Sequence, residues 1–170
     1  MITFQKIRWK NFLSTGDHWS EIDFLGNTTN LVVGTNGSGK STMLDALTFS
    51  LFNKPFRKIN KSQLINATNE KDCVVEVEFT VNNKDYLVRR SIKPNKFDIE
   101  VNGTLLHKES DDRLNQKILE ESILKVNYKS FTQIVILGSS SFVPFMQLST
   151  SNRRDVIEDL LDIRIFSAMN

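Results

Sequence analysis

Asn30-Leu31-Val32-Val33-Gly34-Thr35-Asn36-Gly37-Ser38-Gly39-Lys40-Ser41-Thr42 is the stretch whose reading decides the fold. The first four residues are a short apolar run, which predicts a buried strand. Gly34 to Ser41 then match the Gly-x-x-x-x-Gly-Lys-Ser pattern of a phosphate-binding loop. The residue types follow from the chemistry. Glycines let the chain curl until successive backbone N–H groups converge on an anion. A helix beginning beside Lys40 adds the positive end of its dipole. The Lys40 ammonium suits the β and γ phosphates, and the Ser41 hydroxyl suits Mg²⁺. Gly34, Thr35, Asn36, Gly37, Ser38, Gly39, Lys40, Ser41 and Thr42 are therefore the candidate nucleotide contacts, with ATP and Mg²⁺ as the ligands. A flexible Gly/Ser turn that binds nothing is the rival. It leaves the flanking pattern unexplained: Met43, Leu44, Leu47 and Leu51 fall at helical spacing over residues 41–52.

Outward from the loop, Ile2 to Trp9 and Trp19 to Phe24 alternate as strands. Cys73 to Val81 alternates cleanly, with Val75, Val77, Phe79 and Val81 on one side. Asn82-Asn83 offers a tight turn into a strand over residues 85–91. Phe97, Ile99 and Val101 alternate before Asn102-Gly103, a strong hairpin dipeptide. Residues 73–106 thus read as an antiparallel meander. Residues 111–126 read as a helix with Leu114, Ile118 and Ile123 on one side. Ile134-Val135-Ile136-Leu137 reads as a second buried strand, and residues 149–165 as a helix carrying Val156, Ile157, Leu160 and Leu161. The class is α/β, with a mixed sheet and an antiparallel meander.

Composition bounds the function. The 170 residues are 39% hydrophobic and 25% charged, enough to bury a core. A formal net charge of +2 does not announce a nucleic-acid binder, so any basic surface must come from local clustering. Cys73 is the single cysteine, which excludes an internal disulfide and points to a reducing compartment, the cytoplasm. The charged N-terminus lacks the apolar run of an export signal. The uncharged stretch 130–152 is half polar and contains Pro144, so no membrane span is expected.

Two absences narrow the class. No apolar strand ending in adjacent Asp and Glu follows the loop, and no Leu-Ser-Gly-Gly signature is present. Those carboxylates hold the metal and activate water, so this chain reads as able to grip a nucleotide and unable to hydrolyse it alone. A GTPase is the alternative class, because Asn95-Lys96-Phe97-Asp98 matches a guanine-reading tetrad. Its context is wrong: residues 91–94 are polar and turn-like where a buried strand should stand, and no Asp-x-x-Gly follows the loop. A small nucleotide kinase fits no better.

Lys10-Asn11-Phe12-Leu13-Ser14, the glycine loop and Phe131-Thr132-Gln133-Ile134-Val135-Ile136-Leu137-Gly138 occur in an order that resembles the N-terminal ATPase lobe of SMC-like DNA-repair proteins of the SbcC branch, most closely the small divergent form of T-even-type phages. The resemblance covers essentially the whole chain. It implies an ABC-type head in two parts, the N-terminal lobe spanning residues 1–148 and the start of a coiled-coil helix spanning 149–170. It implies that the C-terminal lobe supplies signature and Walker B motifs, and that the sequence is a piece of a longer protein. It further implies ATP sandwiched between two copies, a metallophosphoesterase nuclease partner, double-stranded DNA as substrate in break processing and recombination, and action in the cytoplasm of a bacterial host. The family has Arg where Leu13 stands, and a metal-sensing Gln where Ser139 stands, so Ser139 is a candidate metal contact through water or else part of a polar turn.

Arg8 and Asn11 either flank the nucleotide or belong to a solvated strand end. Lys54, Arg57, Lys58 and Lys61 form one basic run, and Arg89, Arg90, Lys93 and Lys96 another. Either tracks DNA phosphates or is simply solvated. His18, His107 and Cys73 have no catalytic partner by spacing, and no catalytic residue is assigned.

Overall fold

The computed structural model describes residues 1–27, 29–106, 111–136 and 145–161. It divides into two compact units, Met1–Asn115 and Gln116–Asn170.

The first unit is built on one sheet of six strands: β1 (Ile2–Lys10), β2 (Ser20–Asp23), β3 (Cys73–Val81), β4 (Lys84–Ile92), β5 (Lys96–Val101) and β6 (Thr104–Leu105). Their order is β2-β1-β3-β4-β5-β6. Every pairing is antiparallel, so the expected meander is present and the expected mixed sheet is not, among the described residues. Two of the hairpin turns, those expected from the sequence, use residues that tolerate positive φ. Asn82 and Asn83 sit at 49° and 61°, and Asn102 and Gly103 at 49° and 77°. Two successive positive φ values suit the right-handed twist of the flanking strands.

Strand alternation sorts the side chains. Ile7, Val77, Val88 and Ile99 stand opposite one another across four strands and are all buried. Helix α1 (Thr42–Phe52) packs against β1, β3 and β4. It is buried well beyond the expected stripe: Ala46, Phe49 and Phe52 join Leu47 and Leu51 in the core. A helix apolar on most sides belongs inside, which is where this one lies. Phe12 and Phe49 meet with ring centroids 5.8 Å apart.

Residues 30–33 correct the sequence reading. They form no strand, and Leu31, Val32 and Val33 are 88%, 45% and 80% exposed. An apolar run becomes a buried strand only when a neighbour accepts its backbone groups, and no described strand of this unit pairs with it.

In the second unit, a helical stretch α2 (Asp112–Lys117), which spans the division, passes into a wider π-type turn over Ile118–Leu124. The wider turn moves the buried face: Asn115, Leu119, Ile123 and Leu124 are inside, and Leu114 is exposed. Residues 134–136 are a second correction. Tyr128–Ile134 is a helix, α3, capped by the Asn127 side chain, which accepts from Ser130 N at 2.9 Å. Ile134 thus ends a capped helix, Val135 and Ile136 follow it outside any strand, and Leu137 lies outside the described residues. Helix α4 (Thr150–Leu160) lies beside α3, tied through Lys129, which bonds Asn152 and pairs with Asp155 at 3.0 Å. Of its apolar stripe Val156 is buried, while Ile157 and Leu161 are exposed. No helix among the described residues is long and apolar enough to cross a membrane.

Candidate functional site

The glycine loop runs directly into α1, with Ser41 at the helix N-cap. Gly37 and Gly39 hold φ of 86° and 91°, a region that side chains other than glycine rarely enter. At Gly34 a Cβ would collide with the Ser38 hydroxyl oxygen, so that side chain would have to turn away. The loop is thus curled as a phosphate cradle requires, with amide groups leading into a helix N-terminus. The Lys40 ammonium lies over the loop, donating to the carbonyls of Gly34 and Thr35 at 2.6 and 2.7 Å. The Ser41 hydroxyl makes no side-chain capping bond and faces solvent, free to take a ligand.

A pocket of ≈ 390 Å³ opens over this loop. Asn36, Gly37, Gly39, Lys40, Ser41 and Thr42 line its floor. Leu13, Ser14, Arg57 and Ile59 form its walls; position 13 is where the family resemblance puts an arginine near the nucleotide, and the other three were not expected there. Leu13 is held from two sides. Its N–H donates to Leu64 O at 2.6 Å, and its carbonyl accepts from the Asn66 amide at 3.1 Å. Arg57 is pinned by Asp45, with an Nη2–Oδ2 distance of 2.5 Å. Arg57 thus lines the pocket while its side chain stays 44% exposed. No local spacing could have placed it, since Asp45 lies a helix and a loop away.

Asn11 does not line the pocket. It is buried, with φ of 50°, and its amide donates to Asp17 Oδ1 at 3.1 Å and to Asp72 O at 3.3 Å while accepting from Asn69 at 2.6 Å. It organises the loop that carries Leu13 and Ser14. Arg8 is also elsewhere. Its guanidinium bonds Glu76 and stacks 4.8 Å over the Trp19 ring.

Arg8 belongs to a row of opposite charges across the outer sheet face. Glu21, Arg8, Glu76, Arg89 and Asp98 stand directly opposite one another on β2, β1, β3, β4 and β5. Glu76 is the buried centre, and Arg89 donates to it at 2.5 Å. That bond, together with the nearby Glu100 and Asp98 carboxylates, raises the Arg89 pKa above its usual value. The expected basic run at 89–96 is therefore split. Arg90 points to the opposite face, as neighbours on a strand must. It is buried, donates to Ser50 O at 3.0 Å and lies 3.6 Å from the Phe97 ring centroid. Lys93 and Lys96 remain exposed at the hairpin, and Lys54, Lys58 and Lys61 on the segment after α1. Partial burial and the Arg90 charge lower the Lys61 pKa. Asn95 to Asp98 sit on a turn and on β5, away from the pocket lining, so the guanine-like tetrad has no nucleotide site to read. Ser139 and His107 lie outside the described residues. No cluster of metal-ligating side chains occurs among the described residues.

Comparison with known proteins agrees with the loop. The family model of the AAA domain matches residues 6–165. Exonuclease subunit 2 of Enterobacteria phage T4 is 42% identical over 97% of this chain, which spans 29% of that relative's length. The DNA double-strand break repair Rad50 ATPase of Thermoplasma volcanium is 26% identical over 94% of the chain and 18% of its own length. A solved structure from work on ATP-driven dimerization and DNA-stimulated activation of SMC ATPases superposes with a TM-score of 0.63 at 22% identity, covering 93% of this chain and 99% of that one. The fold is shared with that structure. The chain spans less than a third of the length of these curated relatives.

Proposed function

The chain belongs to the AAA domain family, and from that premise we propose that it is the nucleotide-gripping N-terminal part of an ATPase subunit serving a DNA nuclease in break processing and recombination. The observation that carries this is the pocket over the glycine loop, whose floor is made by Lys40, Ser41 and positive-φ glycines. ATP phosphates fit there: the loop amides and Lys40 meet their charge, with Lys40 leaving the Gly34 and Thr35 carbonyls. Mg²⁺ bound with them would neutralise phosphate charge, and the uncommitted Ser41 hydroxyl suits it. Leu13 and Ile59 offer an apolar wall for the rest of the nucleotide.

Hydrolysis needs more than this chain. After the loop no apolar strand ends in adjacent Asp and Glu to activate water, so that function falls to a C-terminal lobe and to the opposing head of a second copy. The exposed Leu31, Val32 and Val33 support a missing neighbour, because adjoining exposed apolar residues mark a contact surface. Residues 149–170, led by α4, would begin the coiled coil, the lobe itself being residues 1–148. A metallophosphoesterase nuclease and double-stranded DNA complete the assembly, acting in the bacterial cytoplasm. Ser139 stays a candidate for holding a metal-bound water.

Turnover tests this reading. The chain alone is expected to bind ATP and hydrolyse almost none, and a C-terminal lobe with signature and Walker B motifs is expected to restore hydrolysis. Steady turnover by the chain alone that Lys40→Ala abolishes would contradict it.

A further inference from the structure

Asp45 is fully buried in the first turn of α1, just behind the phosphate loop. A carboxylate in such a place is costly unless its charge is met. The positive end of α1 favours the charge but gives it no hydrogen bond: no α1 backbone N–H donates to either oxygen among the described residues. Both oxygens turn instead to one residue, Arg57. Oδ1 accepts the Arg57 backbone N–H at 2.8 Å, and Oδ2 accepts its Nε at 2.6 Å with Nη2 at 2.5 Å. One oxygen therefore fixes the main chain at residue 57, and the other fixes the direction of the guanidinium.

What these bonds hold in place is a pocket wall. Arg57 and Ile59 face the loop that carries Lys40, yet residues 53–60 contain no helix or strand of their own. The Ile59 N–H turns back onto Arg57 O at 2.8 Å, so both wall residues move with the Arg57 backbone. Stability alone is a poor reason for the arrangement. A pair with one half-exposed partner contributes little, and an apolar side chain at a buried position is commonly as stable.

We propose that Asp45 is a positioning residue for nucleotide binding: without touching the ligand, its carboxylate holds the Arg57–Ile59 wall against the phosphate loop. The proposal rests on the pocket's being the nucleotide site.

The test is calorimetric titration of the 170-residue chain with ATP and Mg²⁺, using Asp45→Asn, Arg57→Ala, the double variant and Lys40→Ala. Asparagine keeps an acceptor for the Arg57 N–H but loses the charge that orients the guanidinium. Asp45→Asn and Arg57→Ala are each expected to weaken ATP binding about tenfold, the loss of one charge-assisted tie. The double variant is expected to be no weaker than either, because the two groups act as one. A purely structural Asp45 would add its own loss in the Arg57→Ala background. Asp45→Asn binding like wild type, or losses that add fully, overturns the tie while leaving the pocket intact if Lys40→Ala still abolishes binding. Should Asp45→Asn fail to fold, Arg57→Ala reads the wall on its own, and unchanged affinity there overturns the proposal. Equal binding by wild type and Lys40→Ala overturns the pocket reading and the tie together.

Discussion

Replacing Glu76 with Gln tests whether the charged row holds the sheet together. The Glu76 side chain is 4% exposed, and its two partners, Arg8 and Arg89, are 34% and 37% exposed. A glutamine keeps the volume, but its single oxygen serves one arginine and its amide N–H₂ faces the other. Hydrogen bonds to charged groups contribute about 1.5–3 kcal/mol when well buried. Both guanidiniums here are a third open to water, which recovers a large share once they are released. The expected destabilisation is therefore about 1.5–2 kcal/mol, below the ~3–5 kcal/mol of a fully buried broken pair. For a chain of this length that is a fall in Tm of roughly 3–8 °C. Urea unfolding is the cleaner assay: the midpoint should drop with an unchanged slope, since the surface exposed on unfolding is the same. Arg8→Ala should cost less, about 1 kcal/mol, because Arg89 still meets the buried carboxylate. A Glu76→Gln loss below about 0.5 kcal/mol, the range of an ordinary surface change, would refute the claim that the row is a structural tie.

Two further outcomes follow from other parts of the molecule. Burial pushes the Cys73 thiol up to about 12 from an ordinary value of 9.0. The folded pKa lies above the unfolded one, so this contribution is intact below about pH 9 and is lost as pH rises toward 12. Stability should slope downward across that window, and Cys73→Val should remove that part of the slope. Thiol alkylation of the native chain at pH 8 should be slow. For DNA, Lys58→Glu with Lys61→Glu should weaken duplex binding on all sequences and lower the salt slope by roughly one to two phosphate contacts, and an unchanged slope would leave both lysines simply solvated.

The meander was legible because its signal is local. Val75, Val77 and Phe79 alternate, and Asn82-Asn83 and Asn102-Gly103 name their turns by the positive φ they tolerate. The phosphate loop was legible for the same reason, since each glycine answers a steric demand within a few residues. Runs of four apolar residues were not. Val32 and Ile134 looked alike in sequence, yet one lies on an exposed segment and the other in a capped helix, because pairing partners and caps decide what periodicity cannot. The basic run at 89–96 held a clue that was available: adjacent residues of a strand face opposite ways, so Arg89 and Arg90 could never form one patch. The pocket walls carried no such local clue, and only the family resemblance pointed to position 13. Leu13 is placed by Leu64 and Asn66, and Arg57 by Asp45, all through contacts distant in sequence.

Titration of the purified chain with ATP and Mg²⁺, beside Lys40→Ala, tests the nucleotide site most directly. Lys40 is the cation the loop aims at the phosphates, and its ammonium bonds the loop's own Gly34 and Thr35 carbonyls. The expected result is measurable ATP binding by the wild type, none by Lys40→Ala, and little change in the urea midpoint. Equal affinity in the two chains, with both folded, would contradict the assignment of the glycine loop as a phosphate grip.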